Sequence, residues 1–153
     1  MAALTLEIVT PERRIATLKA DEVRAPGEEG GFGIRRDHTP FMSKLLPGPL
    51  TVAEGGREVT YAIGGGFLQV ADNKVIVLAD TAELQEEIDV ARAERALKDA
   101  TEKLRAMTEQ DSNFLVEAAR VRRAAARLEV AGRRSRGRSG GPPTAGRASP
   151  LVK

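Results

Sequence analysis

His38 is the one histidine in the chain, and an imidazole is the natural first candidate for acid–base work near neutral pH. Its neighbourhood in sequence offers it little. There is no Cys, no serine-based motif, and only Asp37 nearby, so a structural or interface role is the stronger reading. Gly64-Gly65-Gly66 could cradle a phosphate, but such loops act by opening a helix whose N-terminus holds the anion, and here the strand-like Phe67-Leu68-Gln69-Val70 follows. A bulge or a close backbone approach fits the three glycines better. The remaining candidate is a set of arginines. Arg120, Arg123 and Arg127 fall within about 60° of one another on a helix turning about 100° per residue. Composition alone reads them as an ordinary solvated basic face.

The elements that must position these residues are of two kinds, and the hydrophobic period changes between them near Asp80. Before it, apolar residues alternate in short runs, such as Leu4-Thr5-Leu6-Glu7-Ile8-Val9 and Lys74-Val75-Ile76-Val77-Leu78, which predicts strands. Turn signals recur at Pro26-Gly27, Gly30-Gly31, Pro47-Gly48-Pro49, Gly55-Gly56 and Asp72-Asn73, leaving room for strands of four to six residues and at least two hairpins. A sandwich or barrel is expected, not a parallel α/β sheet. From Ile88 to Ala131 there is neither Pro nor Gly, and Ala, Glu, Arg, Lys and Leu dominate, which predicts helix.

Two helices fit that stretch, separated by Asp111-Ser112-Asn113, which supplies a turn and an N-cap. On the second, Phe114, Ala118, Val121, Ala125 and Leu128 share a sector about 80° wide, the expected buried stripe. The arginine group centres about 140° away from it. Ala91, Leu97, Ala100, Leu104 and Met107 offer a less regular matching face on the first helix. An antiparallel hairpin is expected, and a weakly held one, because an Ala stripe buries little compared with about 1.5 to 3 kcal/mol for a Leu.

The remaining bounds are compositional. In 153 residues there is room for one β domain and a small appendage. Neither a secretion signal nor a membrane span is expected, because the strand pattern begins at Leu4 with no basic stretch before it and apolar runs stay far below about 18 residues. Six of the 24 basic residues lie in residues 132–153, which hold no acid, leaving 18 basic against 22 acidic side chains in residues 1–131. The basicity therefore belongs to an Arg/Gly/Ser/Pro tail, for which disorder is expected.

Several of these segments also carry a family resemblance when taken in order: Leu6-Glu7-Ile8-Val9-Thr10-Pro11-Glu12, Gly31-Phe32-Gly33-Ile34 with His38-Thr39-Pro40, Pro47-Gly48, Gly65-Gly66-Phe67-Leu68-Gln69-Val70, and Val75 to Asp80. Over about residues 4 to 131 the chain resembles the epsilon subunit of F-type ATP synthases, called delta in mitochondria. The resemblance implies an α+β chain: an N-terminal all-β sandwich of about ten strands over residues 1–83, a helical hairpin over 84–131, and the tail 132–153 outside the family pattern. It implies a non-catalytic rotor subunit, peripheral on the cytoplasmic face of the bacterial inner membrane, that couples the gamma subunit to the ring of c subunits. Glu28, Glu29, Gly31, His38 and Thr39 would lie toward those partners. When the helices extend, Arg120, Arg122, Arg123 and Arg127 would meet an acidic segment of the beta subunits in the alpha/beta hexamer and restrain ATP hydrolysis.

No cofactor is required on this reading, but a weak regulatory ATP is implied. Ile88-Asp89-Val90-Ala91-Arg92-Ala93 matches a motif of ATP-binding relatives, and Arg123 and Arg127 match the pair that accompanies it. Ile88, Asp89, Arg92 and Ala93 would then serve the base and ribose side, with Arg123 and Arg127 on the phosphates. The chain departs from the family pattern in Arg35-Arg36-Asp37 before the histidine and in Asp99, where an arginine is often present. The competing reading is a β-sandwich adaptor whose basic tail binds nucleic acid or acidic protein surfaces. Aromatic residues are 3% of the chain and the body is mildly acidic, so neither stacking nor charge favours nucleic acid.

Overall fold

The computed structural model describes residues 3–137, which form eight strands, a 3-10 turn and two α-helices. The strands are β1 (Leu4–Val9), β2 (Arg14–Ala20), β3 (Glu22–Gly27), β4 (Gly30–Arg35), β5 (Phe41–Glu54), β6 (Arg57–Ala71), β7 (Lys74–Ala79) and β8 (Ala82–Leu84). Their order is β2-β1-β7-β6-β5-β3-β4, with β8 pairing the first half of β6 on the same edge that β7 pairs further along. All neighbours are antiparallel except β1 and β7. Gly55-Gly56 and Asp72-Asn73 close the two expected hairpins, with positive φ at all four residues, as two-residue turns that follow strand twist require.

β5 and β6 are far longer than the turn signals suggest, at 14 and 15 residues. Their register continues from Leu45↔Gly66 to Pro47↔Gly64, straight through residues that read as breaks. The side facing the core changes there. On β6 the side chains in the main core are Tyr61 and Ile63 before the glycines, then Leu68 and Val70 after them; on β5 Leu45 gives way to Leu50 and Val52. A strand alternates faces every residue, so this change of parity marks the point where both strands pass from one layer of the sandwich to the other. Split at that bend, eight strands become the expected ten. Gly66 makes the passage with φ +141°, and a Cβ there would stand 2.1 Å from the Leu78 carbonyl oxygen.

Leu4, Leu6, Ile8, Leu18, Val23, Ile34, Leu50, Tyr61, Leu68, Val75 and Val77 form one continuous core between the layers. Leu84 belongs to it, so the sandwich runs through β8 and the 3-10 turn Gln85–Glu87 connects it to the helical pair. Tyr61 is fully buried, and its hydroxyl has no hydrogen-bond partner among the described residues. Burial, with smaller contributions from Glu87 and Glu86, pushes its phenol up from 10 to about 12. Because the folded pKa is raised, the unfolded chain loses this proton first, so stability is complete below pH 10 and declines as pH rises through 12. Tyr61→Phe is expected to fold within about 1 kcal/mol of the parent at neutral pH and to lose that alkaline decline, read from urea midpoints at pH 8 and 11.

The arm consists of α1 (Val90–Arg105) and α2 (Phe114–Gly137). Asp89 caps α1 by accepting from the Arg92 backbone N–H at 3.0 Å. α2 runs six residues beyond Ala131 into what reads as tail, helped by a Glu129–Arg133 pair one turn apart. The expected disorder of the remaining tail, residues 138–153, falls outside the described residues.

The stripe expected on α2 is displaced. Ala125 is exposed and Phe114, Ala118, Val121 and Leu128 are only half-buried, whereas Glu117, Ala124, Ala126, Val130 and Ala131 are buried. The reason is that α2 has two neighbours: α1 on one side and the sandwich, through β5, β6 and the 3-10 turn, on another. A single-stripe reading assumes one. On α1 the buried positions are Ala93 and Ala100, and Ala91 is exposed.

Candidate functional site

α2 lands on the outer face of one layer at Ala62 and Gly64. The seam there is small: Ala62, Ile88, Val130 and Ala131 form a cluster separate from the main core. Gly64 is the notch that admits the helix, because a Cβ at this position would meet Thr81 Oγ1 at 2.1 Å and Arg123 Cδ at 2.8 Å. Polar clips flank the seam. Gln85 Nε2 donates to the Val130 carbonyl at 2.8 Å. Arg127 donates to both oxygens of Glu83 on β8, at 2.9 Å from Nε and 3.3 Å from Nη2, with each side chain about a quarter exposed (26% and 29%).

Two of the three arginines are thus drawn inward, contrary to the solvated face that composition favours: the Arg123 stem lies along the glycine notch and the Arg127 head reaches Glu83, while Arg120 stays exposed. Between α1, α2 and β8 these side chains line a cleft of about 490 Å³. Arg92, Lys103, Arg120, Arg123 and Arg127 supply five cations, and Glu83, Asp99 and Glu117 three carboxylates. Arg120 is held by Glu117 at 2.8 Å, within one helical turn.

Of the six residues expected around a nucleotide, Arg92, Arg123 and Arg127 meet in this cleft. Ile88 is instead buried in the seam, Asp89 is occupied as a helix cap, and Ala93 is fully buried on α1. Arg122 is exposed and does not line the cleft. Sequence reasoning missed Glu83, Glu117 and Lys103. Glu83 could be found only by recognising β8, a three-residue strand too short to show alternation.

The residues expected to face partners sit elsewhere. Glu28 and Glu29 are at the exposed turn between β3 and β4, with Lys44 Nζ 3.8 Å from Glu28, and Gly31 is the second residue of the edge strand β4. His38 and Thr39 lie on the loop before β5. His38 Nδ1 is 2.7 Å from the Thr39 carbonyl oxygen, and its ring stands edge-on to Phe41 at 5.8 Å, which in turn meets Phe32 at 5.2 Å. The departure at Asp37 has a local role: Asp37 takes a left-handed conformation, and its backbone N–H donates to Asn73 Oδ1 at 2.6 Å while Asn73 Nδ2 donates back to Asp37 Oδ1 at 3.2 Å. That exchange ties the His38 loop to the β6–β7 turn.

The layer opposite the arm exposes a feature that alternation alone does not mark as special. Phe67 (53% exposed) pairs with Leu78 (55%) across β6 and β7, Val9 continues the row on β1, and Met42 (65%) lies one register step away on β5. A contiguous exposed apolar patch marks an interaction face.

A pleated body with one apolar face outward and a lightly clipped helical pair on the other is the build of a structural, non-catalytic subunit of a larger machine. Residues 3–85 match the family described as ATP synthase, Delta/Epsilon chain, beta-sandwich domain, and residues 86–132 match its long alpha-helix domain. The chain is 66% identical over 131 residues to the ATP synthase epsilon chain of Anaeromyxobacter sp. (strain K), covering 86% of this chain and 99% of that one. It is 50% identical over 131 residues to the epsilon chain of Myxococcus xanthus, covering 86% and 96%. Among solved structures, a chain of the Euglena gracilis mitochondrial ATP synthase (OSCP/F1/c-ring, rotational state 1) is similar with a TM-score of 0.71 at 27% identity, over 86% of this chain and 82% of that one. A chain of the Tetrahymena thermophila mitochondrial ATP synthase (central stalk/c-ring) shares the fold, with a TM-score of 0.55 at 16% identity over 85% and 97%. The chain belongs to the delta/epsilon chain family of ATP synthases.

Proposed function

We propose that this chain is a rotor subunit of the central stalk, seated against the gamma subunit and the c ring through its sandwich, with α1 and α2 acting as a movable brake on ATP hydrolysis. The single observation carrying this reading is the contrast between the two sides of the sandwich. One side exposes the Phe67, Leu78 and Val9 row with Met42 one step off it, an apolar face fit for permanent burial against a stalk. The other holds its arm by a seam of Ala, Val and Ile with no Leu in it. At about 0.8 kcal/mol per buried CH₂, such a seam favours the docked arm only modestly, so other partners can compete for it.

Release would free Arg127 from Glu83 and lift Arg123 from its notch, presenting both with Arg120 and Arg122 to an acidic segment of the beta subunits. In the docked form, Arg92, Arg123 and Arg127 would hold the phosphates of a weakly bound regulatory ATP. The test is truncation. Cutting after Glu87 keeps β8 and its buried Leu84, whereas a cut at Thr81 would strip a strand from the core. Assembled enzyme carrying residues 1–87 is expected to retain its stalk and to hydrolyse ATP several-fold faster; an unchanged rate would remove the braking role.

A further inference from the structure

We propose that residues 138–153 of this chain dock back into an open groove beside α2, between the end of that helix and the edge strand β4, and so latch the arm to the sandwich. The segment lies beyond the helix domain that the family model matches, and the stalk reading gives it no role. Groove and occupant stand whether or not the arm brakes hydrolysis.

The groove continues the surface on which α2 lands. Strand side chains return to one face every second residue, so Glu58 and Thr60 share the outer face of β6 with Ala62, which packs in the α2 seam. From Thr60 a single register row runs through Thr51 and Arg24 to Gly33 at the sheet edge. Gly31 and Gly33 put no side chain on this face, and α2 packs mainly over β5 and β6, which leaves a trough of about 1030 Å³. That is the top of the size range for small-molecule pockets, but it lies open along a sheet, a shape suited to a length of chain. Pro26, Leu46, Pro47 and Pro49 give it an apolar lining, with Leu46 40% exposed. Among the described residues that line it, Glu22, Glu58 and Glu129 outnumber Arg24 and Arg133, and both arginines are already paired with those glutamates. An anionic ligand is therefore disfavoured and a basic one is not.

The chain's own last residues meet these requirements. They carry Arg138, Arg147 and Lys153 with no acidic side chain, and their apolar content is Pro142-Pro143 and Pro150-Leu151-Val152. Proline-rich segments lose little conformational entropy on docking against an apolar groove. The starting point is also right, because Arg133 lines the trough and α2 ends at Gly137, about 6 Å further along its axis. Sixteen residues can span about 50 Å at about 3.1 Å each, whereas crossing from β6 to β4 takes about 14 Å. Reach is ample. A tether this short sets an effective concentration of millimolar order, so a groove with only a millimolar dissociation constant is about half filled. A second copy would have to reach that concentration in solution.

Paramagnetic broadening of amide signals in the full chain tests the latch. With no native cysteine, Ser149→Cys takes a single nitroxide label, and isotope-labelled amides report which surface it visits. The amides of Arg24, Gly33, Thr51 and Thr60 are expected to lose about half of their intensity or more, in line with the filled fraction above. Thr17 and Leu78, on the opposite layer, are expected to keep theirs. Gly33→Arg is expected to abolish the broadening. A Cβ at Gly33 meets nothing nearer than Glu22 Cδ at 3.6 Å, so the new side chain can fill the trough without displacing backbone, and the amide spectrum itself checks the fold. Equal broadening on both layers, broadening that persists in Gly33→Arg, or no broadening at all would each overturn the proposal. So would broadening of the same size when nitroxide and isotope are carried by different molecules, which would assign the groove to a second copy. The truncation assay reads hydrolysis and not this contact, so either result can fail while the other stands.

Discussion

Gly66→Ala is expected to remove about 3 to 5 kcal/mol of folding stability, enough to leave much of the chain unfolded at 37 °C. Two costs combine. The residue sits at φ +141°, in a region of backbone space essentially closed to side chains. The added Cβ would also stand 2.1 Å from the Leu78 carbonyl oxygen and 2.9 Å from the Ala79 Cα. Neither is a flexible side-chain tip, so the β6–β7 ladder itself would have to part at the Gly66↔Ala79 pair. Gly132→Ala provides the opposing case. Gly132 lies within α2 with nothing near its missing Cβ, and replacing a helical glycine there is expected to add about 0.5 to 1 kcal/mol. Urea denaturation of both variants tests the pair, and a Gly66→Ala midpoint within 0.3 M of the parent would refute the strain argument.

The second large effect is on the arm and not on the body. Gly64→Val is expected to leave the sandwich folded and to shift the arm from mostly docked to largely released, a change of about 10- to 100-fold in the docking equilibrium. Gly64 has no positive φ to lose, and the atoms a side chain would strike are Thr81 Oγ1 and the Arg123 stem, not backbone. Thr81 can turn away. Arg123 can leave only by moving the helix that carries it, and overpacking of this kind costs about 1 to 3 kcal/mol. Since the chain has no cysteine, a pair of introduced cysteines at the exposed Lys19 and Ala125 can carry spin labels without interference. A distance distribution identical to the parent's would contradict the notch. In the assembled enzyme the same variant is expected to slow hydrolysis, opposite in sign to truncation after Glu87.

Much of this architecture was legible beforehand, and the parts that were not share a cause. The strand body, both two-residue hairpins, the helical pair and the family pattern all follow from local period, turn chemistry and motif order. The three glycines suit a bulge or a close approach, and Gly64 and Gly66 serve close approach, although which element approaches is not legible locally. What stayed hidden depends on having two neighbours at once. The α2 stripe was assigned as though one face were buried, so Ala125 was placed inside and Ala124, Ala126 and Val130 were overlooked. Composition alone favours a solvated arginine face, because no local rule pairs Arg127 with a glutamate 44 positions away. Strand length was underestimated at β5 and β6, where Pro and Gly bend a strand between layers without ending it. The motif from Ile88 to Ala93 was found, but Ile88 and Asp89 serve packing and capping in this state, and motif spacing does not reveal that.

The layering of the arm has a further implication. α2, the later helix in the chain, lies between α1 and the sandwich, and α1 leans mainly on α2. During synthesis, α1 therefore emerges with nothing to rest on until α2 has left the ribosome. The body can finish folding with its arm hanging open, and the arm closes only once α2 is free to dock.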